Sequence, residues 1–154
     1  MRKVISNNSE KAERIINKCK FCFIGMIDLK GRPYVLPFNF GYKDETIWFH
    51  SGRQGRKSAI FRKNPEVCIT FSSDESLKVV NKEVACSYSM RFRSVLAYGK
   101  VEIIDDYEKK TEALNIIMKQ YTGKDDFTYN KPAVDDVSVF RVKVKHFSSK
   151  ESGY

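Results

Sequence analysis

The run His50-Ser51-Gly52-Arg53-Gln54-Gly55-Arg56-Lys57 gathers an imidazole, a hydroxyl, two glycines and three cations within eight residues. Glycines let a backbone turn tightly, amides at a helix N-terminus point outward, and Arg and Lys donate charge-assisted hydrogen bonds. Phosphate is therefore a natural guest of such a segment. The spacing is not that of a Walker A loop, and the same residues also suit an ordinary basic connection between a strand and a helix. His50, at the end of the preceding strand, could deliver a proton or could simply hydrogen-bond a ligand or the backbone. The other histidine, His146, lies in the last strand and has no such neighbourhood.

The elements that must position this run can be read from periodicity and stop signals. Thr46 to His50 is a short β-branched and aromatic strand, and the helix after Gly55 ends at Asn64-Pro65. Upstream, Asn7-x-x-Glu10 resembles a capping box, and Ala12, Ile15, Ile16 and Cys19 follow on one helical face. Phe21 to Ile27 predicts a strand, Asp28 to Gly31 a turn, and Arg32 to Phe40 a second strand. Pro37 cannot donate to a ladder, so it marks an edge or a bulge. Gly41 to Glu45 reads as a turn, Val67 to Phe71 as a fourth strand, and polar Ser72 to Asn81 as a loop.

A long β segment is expected from Glu83 to Ile104, with Gly99 as a bend. Asp105-x-x-Glu108 opens a helix with a stripe of Leu114, Ile117, Met118 and Tyr121, stopped by Gly123. Phe127 to Val134 looks irregular, and Ser138 to Phe147 alternates as a half-buried strand. Short strands without strict βαβ alternation argue for a mainly β (α+β) antiparallel barrel with flanking helices. One domain over residues 1–154, with a core from about 20 to 147, is expected.

Composition narrows the class of function. Apolar residues make up 42% and charged residues 31% of the 154, and no run is long and apolar enough to predict a membrane span. The N-terminal stretch lacks the apolar core of a signal peptide, so the cytoplasm is the expected location. A net charge of +9 invites nucleic acid, but the cations are spread along the chain rather than gathered in a block, which makes that partner unlikely. Cys19-Lys20-Phe21-Cys22 has C-x-x-C spacing, yet Cys68 and Cys86 form no second close pair, so no metal site is expected. Cys19 ends a helix, where a thiolate is disfavoured, and buried structural thiols are the better reading.

Several blocks together carry a resemblance. They are Pro33 to Tyr42 (PYVLPFNFGY), Trp48-Phe49-His50-Ser51 with Gly55-Arg56-Lys57, Val84 to Val95 (VACSYSMRFRSV), Tyr98-Gly99-Lys100, and Met118 to Gly123. In this order, from about Cys22 to Val144, they resemble the FMN-binding split-barrel family related to pyridoxamine 5′-phosphate oxidase, and within it the nitroimidazole-resistance (Nim-type) branch. The resemblance implies an antiparallel six-stranded split β-barrel that works as a homodimer, with FMN in each of two interface clefts. It places Pro37, Phe38 and Asn39 along the isoalloxazine, and His50 and Ser51 beside the flavin and ribityl chain. Arg56 and Lys57 fall on the phosphate, with Arg91, Ser94 and Val95 completing the site; whether Arg91 or Arg93 faces the cofactor stays open.

The activity so implied is reduction of small electron-poor compounds such as 5-nitroimidazoles, nitro to amine in two-electron steps; His50 is the catalytic candidate, as proton donor or only as a hydrogen-bond partner of the cofactor. A pyridoxamine 5′-phosphate oxidase is an alternative, but its C-terminal Trp and Arg-Leu-x-Pro ending are replaced here by His146 to Tyr154. A haem- or flavin-binding module without enzymatic activity and a basic barrel for single-stranded nucleic acid are further alternatives.

Overall fold

In the structure, a computed structural model that describes residues 3–154, a single antiparallel sheet carries eight strands among the described residues. They are β1 (Lys3–Ser6), β2 (Cys22–Ile27), β3 (Pro33–Phe38), β4 (Phe40–Lys43), β5 (Thr46–Gly52), β6 (Glu66–Val79), β7 (Tyr88–Ile104) and β8 (Val137–Ser152). Four helices flank it: α1 (Ser9–Ile16), α2 (Arg56–Lys63), α3 (Tyr107–Thr122) and α4 (Lys131–Asp135). The hydrogen-bonded order is β3-β2-β6-β7-β8-β5-β4, with β1 added to the far end of β8. The expected class holds, a mainly β split barrel with flanking helices, with eight strands in place of six.

Barrel closure follows from one residue. β3 and β4 stand at opposite ends of the hydrogen-bonded path, yet only Asn39 separates them in the chain. A single residue spans no more than about 3.6 Å, so the sheet has to curl until its two ends meet. Those ends do not pair with each other, which is the split. Phe40, Phe49, Phe61, Phe71 and Phe140 fill the interior with no more than 2% exposure. Phe49 stacks on Phe140 with centroids 5.2 Å apart, and both meet Phe61 edge-on.

Where the sequence pattern misleads, the cause is local. Ser72 to Asn81 is not a loop: β6 continues to Val79, paired with β7 as far as Val79 with Tyr88. Residues 75–79 are exposed, so this arm carries none of the apolar alternation that marks a half-buried strand. Residues from Glu83 instead pass through a short 3₁₀ turn, Ala85–Ser87, before β7 begins. Gly41 to Lys43 belongs to β4, and the turn shrinks to Asp44-Glu45, both with positive φ as a two-residue hairpin requires. α4 forms within the stretch read as irregular because Asn130 caps it, accepting from the Ala133 amide at 2.9 Å. Gly99 does mark a break in register between β7 and β8.

α3 holds the join at Asn39. The Tyr121 hydroxyl accepts from the Phe40 amide at 3.0 Å and donates to the Lys20 carbonyl at 2.8 Å. One side chain thus ties β4 to the entrance of β2. The helix backbone comes so close to β4 that a Cβ on Gly41 would lie 2.7 Å from Ile116 and Ile117 backbone atoms. Gly41→Ala should therefore destabilise the fold by about 1–3 kcal/mol, the usual cost of overpacking. Urea denaturation will show this as a lower midpoint, and a midpoint equal to wild type would mean that α3 shifts freely on β4.

Candidate functional site

The turn between β2 and β3 is built around Asp28, which is only 2% exposed. Its carboxylate accepts from the Lys30 and Arg32 amides, both at 2.9 Å, and from Arg32 Nε at 3.1 Å. A fourth donor comes from elsewhere in the chain: Arg56 Nη2, at the first position of α2, lies 2.9 Å away. The backbone donors, chiefly the Arg32 amide, hold the Asp28 carboxyl below the ordinary carboxylate range. The other end of α2 reaches the same turn, since Asn64 Nδ2 donates to the Ile27 and Asp28 carbonyls at 3.2 and 3.3 Å. α2 is thus moored at both ends to the β2–β3 turn. Asp28 was outside the sequence expectations, because an Asp in a turn is ordinary and its partner Arg56 lies 28 residues on.

This mooring sets the phosphate-binding candidates against β3. Arg56 lies over the Tyr34 ring at 4.9 Å, and Lys57 Nζ lies 5.3 Å from the centre of the Phe38 ring. Lys57 takes part in no ion pair among the described residues. The N-cap of α2 is Gly55, which offers no capping side chain, and its first turn holds no acidic residue. Amide donors and dipole at that end are therefore uncompensated within the chain. An uncapped helix start, a free ammonium and a half-engaged guanidinium fit a phosphate group. Pro37 and Phe38 sit on β3, whose outer side has no strand partner, and Asn39 is the hinge to β4. Backbone groups along that open edge are available to the rim of a planar ring system.

His50 and Ser51 occupy adjacent positions of β5 and so point to opposite faces. Ser51 is buried toward the interior beside Phe49, whereas His50 shares the outer face with Trp48 and its partner Val139. Burial pushes the His50 imidazole below its ordinary value by disfavouring the charged form. Trp48 Nε1 on the same face is buried without a hydrogen-bond partner, although Arg141 covers its ring at 5.8 Å.

The third group, on β7, stands apart from these within one chain. β7 is three strands from β3 in the sheet order, and no hydrogen bond joins Arg91, Ser94 or Val95 to the α2 cluster among the described residues. Val95 is fully buried in the core, opposite Phe71. Arg91 and Arg93 are two residues apart and share a face, so orientation alone does not separate them. Their partners do. Arg93 is committed to Asp74 at 2.8 Å, to Glu151 at 3.2 Å and to the Tyr154 ring at 3.8 Å. Arg91 has a buried Nε with no acceptor. Ser94 points the other way, to the outer face of the sheet.

That outer face is apolar and open. Phe23 is 48% and Val35 59% exposed, and Ile27 and Tyr98 lie on the same side. Two of the thiols are the buried ones expected: burial pushes Cys19 up to about 11 and Cys22 up to about 12, whereas Cys68 is half-buried and Cys86 exposed. No group of three His, Cys, Asp or Glu that could hold a metal occurs among the described residues. No helix is long and apolar enough to cross a membrane.

Comparison with known proteins identifies the family and the fold. A family model described as pyridoxamine 5′-phosphate oxidase matches residues 8–151. The crystal structure of a candidate 5-nitroimidazole antibiotic resistance protein from Bacteroides thetaiotaomicron is 44% identical, covering 97% of this chain and 87% of that one, with a TM-score of 0.85. A flavocytochrome from Azotobacter vinelandii is 20% identical over 97% of this chain and 70% of its own, with a TM-score of 0.83. A FAD- and haem-binding protein from Mycobacterium smegmatis is 14% identical over 97% and 74%, also at 0.83. The last two show the fold. The comparison with curated proteins gives no match.

The depressed His50 pKa carries a stability signature. In the unfolded chain the imidazole takes up a proton near pH 6.5, while the folded state resists it. Stability from this group is therefore complete above pH 6.5 and falls as the pH drops through that value toward the folded pKa. Wild type should lose more stability than His50→Asn between pH 7.5 and 5.5, read from urea midpoints. Parallel losses in the two proteins would show that His50 is solvated like an ordinary histidine.

Proposed function

The chain belongs to the pyridoxamine 5′-phosphate oxidase family, and from that premise we propose that it is an FMN-binding reductase of small electron-poor compounds, 5-nitroimidazoles among them. The observation that carries the cofactor is the uncapped start of α2 with Lys57 free of any ion pair beside Phe38. The substrate class is supported by 44% identity to the Bacteroides thetaiotaomicron protein, whose description is that of 5-nitroimidazole resistance. The reading keeps one domain and a cytoplasmic location.

In this reading Lys57, the α2 amides and the outer face of Arg56 hold the cofactor phosphate, with Asp28 fixing the guanidinium in place. The backbone of Pro37, Phe38 and Asn39 meets the ring edge. Reduced FMN supplies hydride equivalents. Arg91 and Ser94 are too many strands away to join this cluster in the same chain, so a second copy supplies them, whereas the Val95 side chain stays in the core and only its backbone could take part. The homodimer this requires would cover the open apolar face around Phe23 and Val35, more hydrophobic surface than single scattered residues account for. His50 is neutral near pH 7 by its burial, and the fraction that carries a proton to donate to the substrate rises as the pH falls.

A phosphate contact at Lys57 should be worth about 1.5–3 kcal/mol, or roughly 10- to 150-fold in Kd. Lys57→Ala should weaken FMN in a fluorescence titration by that much, and Lys145→Ala, on a solvated strand face, should leave it unchanged. Equal losses would move the phosphate site elsewhere. His50→Ala, loaded with equal FMN and reduced anaerobically, should reoxidise with metronidazole about 10²–10⁴-fold more slowly. The wild-type rate should rise as the pH falls below 6.5, and the mutant rate should not. Identical rates at every pH would remove His50 from catalysis.

A further inference from the structure

On the side of α2 away from Phe38 lies a cavity of about 590 Å³, within the size range of small-molecule sites. Ser58 and Arg62, one helical turn apart on α2, form one wall. The end of β7 at Ile103-Ile104 and Ser138 of β8 form the floor, and Arg53 reaches in from the connection after β5. Arg56 and Lys57 turn instead to Tyr34 and Phe38, so the two sides of α2 carry separate sets of cations.

Lys110 also lines the cavity, and it is the unusual member. It is only 9% exposed, yet no hydrogen bond or ion pair to its ammonium occurs among the described residues. It is also the fourth residue of α3, close to the positive end of that helix. Its ammonium is left without a direct partner on the cavity wall, and a bound anion would supply one. Arg53 and Arg62 are likewise free of ion pairs among the described residues. Two carboxylates, Asp105 and Asp135, share the lining. Asp135 bonds Lys131 at 2.6 Å and is held below the ordinary carboxylate range chiefly by that bond, with smaller contributions from Lys110 and Arg53, so it offsets part of the cavity's charge; Asp105 is exposed.

We propose that this cavity is a second anion site, built by Lys110, Arg53, Arg62, Ser58 and Ser138 to take a small phosphorylated molecule, and separate from the phosphate site at Lys57. The hydroxyls of Ser58 and Ser138 can donate to phosphate oxygens while the three cations supply charge-assisted hydrogen bonds.

The test is calorimetric titration of the FMN-saturated protein with inorganic pyrophosphate at low ionic strength. Wild type should bind one equivalent per chain, and both Lys110→Met and Arg62→Gln should weaken it by about tenfold or more while leaving FMN affinity within about twofold. Lys57→Ala should do the reverse. Arg62 is exposed, so Arg62→Gln decides the matter if Lys110→Met fails to fold. The proposal is overturned if wild type takes up no pyrophosphate, or if Arg62→Gln binds it as tightly as wild type. It also falls if FMN and pyrophosphate displace each other, because the cavity is then the flavin's own phosphate site.

Discussion

A carboxylate removed from water has to find its hydrogen bonds inside the protein, and Asp28 finds them from two directions. Its own turn supplies two amides and Arg32, which any tight turn could do. The bond from Arg56 is different, because it fastens the start of a helix to a turn between two other strands. With Asn64 holding the other end of α2 on the same turn, the helix is fastened at both ends to the turn that precedes β3. The position of Lys57 over Phe38 is a consequence of that constraint, as is the exposure of the uncapped helix start. Charge is thereby placed beside the open edge of the barrel.

The rest of the barrel supports the same edge from inside. Phe38 meets Phe49 edge-on at 5.0 Å, and Phe49 continues into Phe61 of α2 and Phe140 of β8. One aromatic cluster therefore touches the strand that offers backbone groups, the strand that carries His50, and the helix that carries Lys57. From the other end, Tyr121 and the close approach of α3 at Gly41 fix the chain just after Asn39. Candidate residues that are far apart in sequence are thus positioned by a few packed side chains of low freedom.

Much of this was legible in the sequence wherever one face of an element is buried. The α1 stripe, the β5 strand, the stop at Asn64-Pro65 and the edge position of Pro37 all emerge as periodicity and proline chemistry suggest. The polar β6–β7 arm was not legible, since a strand with two solvated faces has no alternation to read. The pairing of Asp28 with Arg56 was not legible either, because a buried ion pair between distant residues leaves no spacing signal. Adjacent His50 and Ser51 read as one unit in the sequence, but strand geometry sends them to opposite faces. Arg91 and Arg93 were indistinguishable until their partners were seen: both lie over Tyr154, but Asp74 and Glu151 occupy Arg93 and leave Arg91 with a free donor.

The fold is shared with a flavocytochrome and with a protein described as binding FAD and haem, so whether this chain binds a chromophore, and which, is the decisive property. A visible spectrum of the purified protein, with mass analysis of the chromophore released on denaturation, measures it directly. A phosphate held at Lys57 beside a ring along Pro37, Phe38 and Asn39 requires the two flavin absorption bands and the mass of FMN. A Soret band without flavin, or a protein that stays colourless after incubation with FMN, would contradict it.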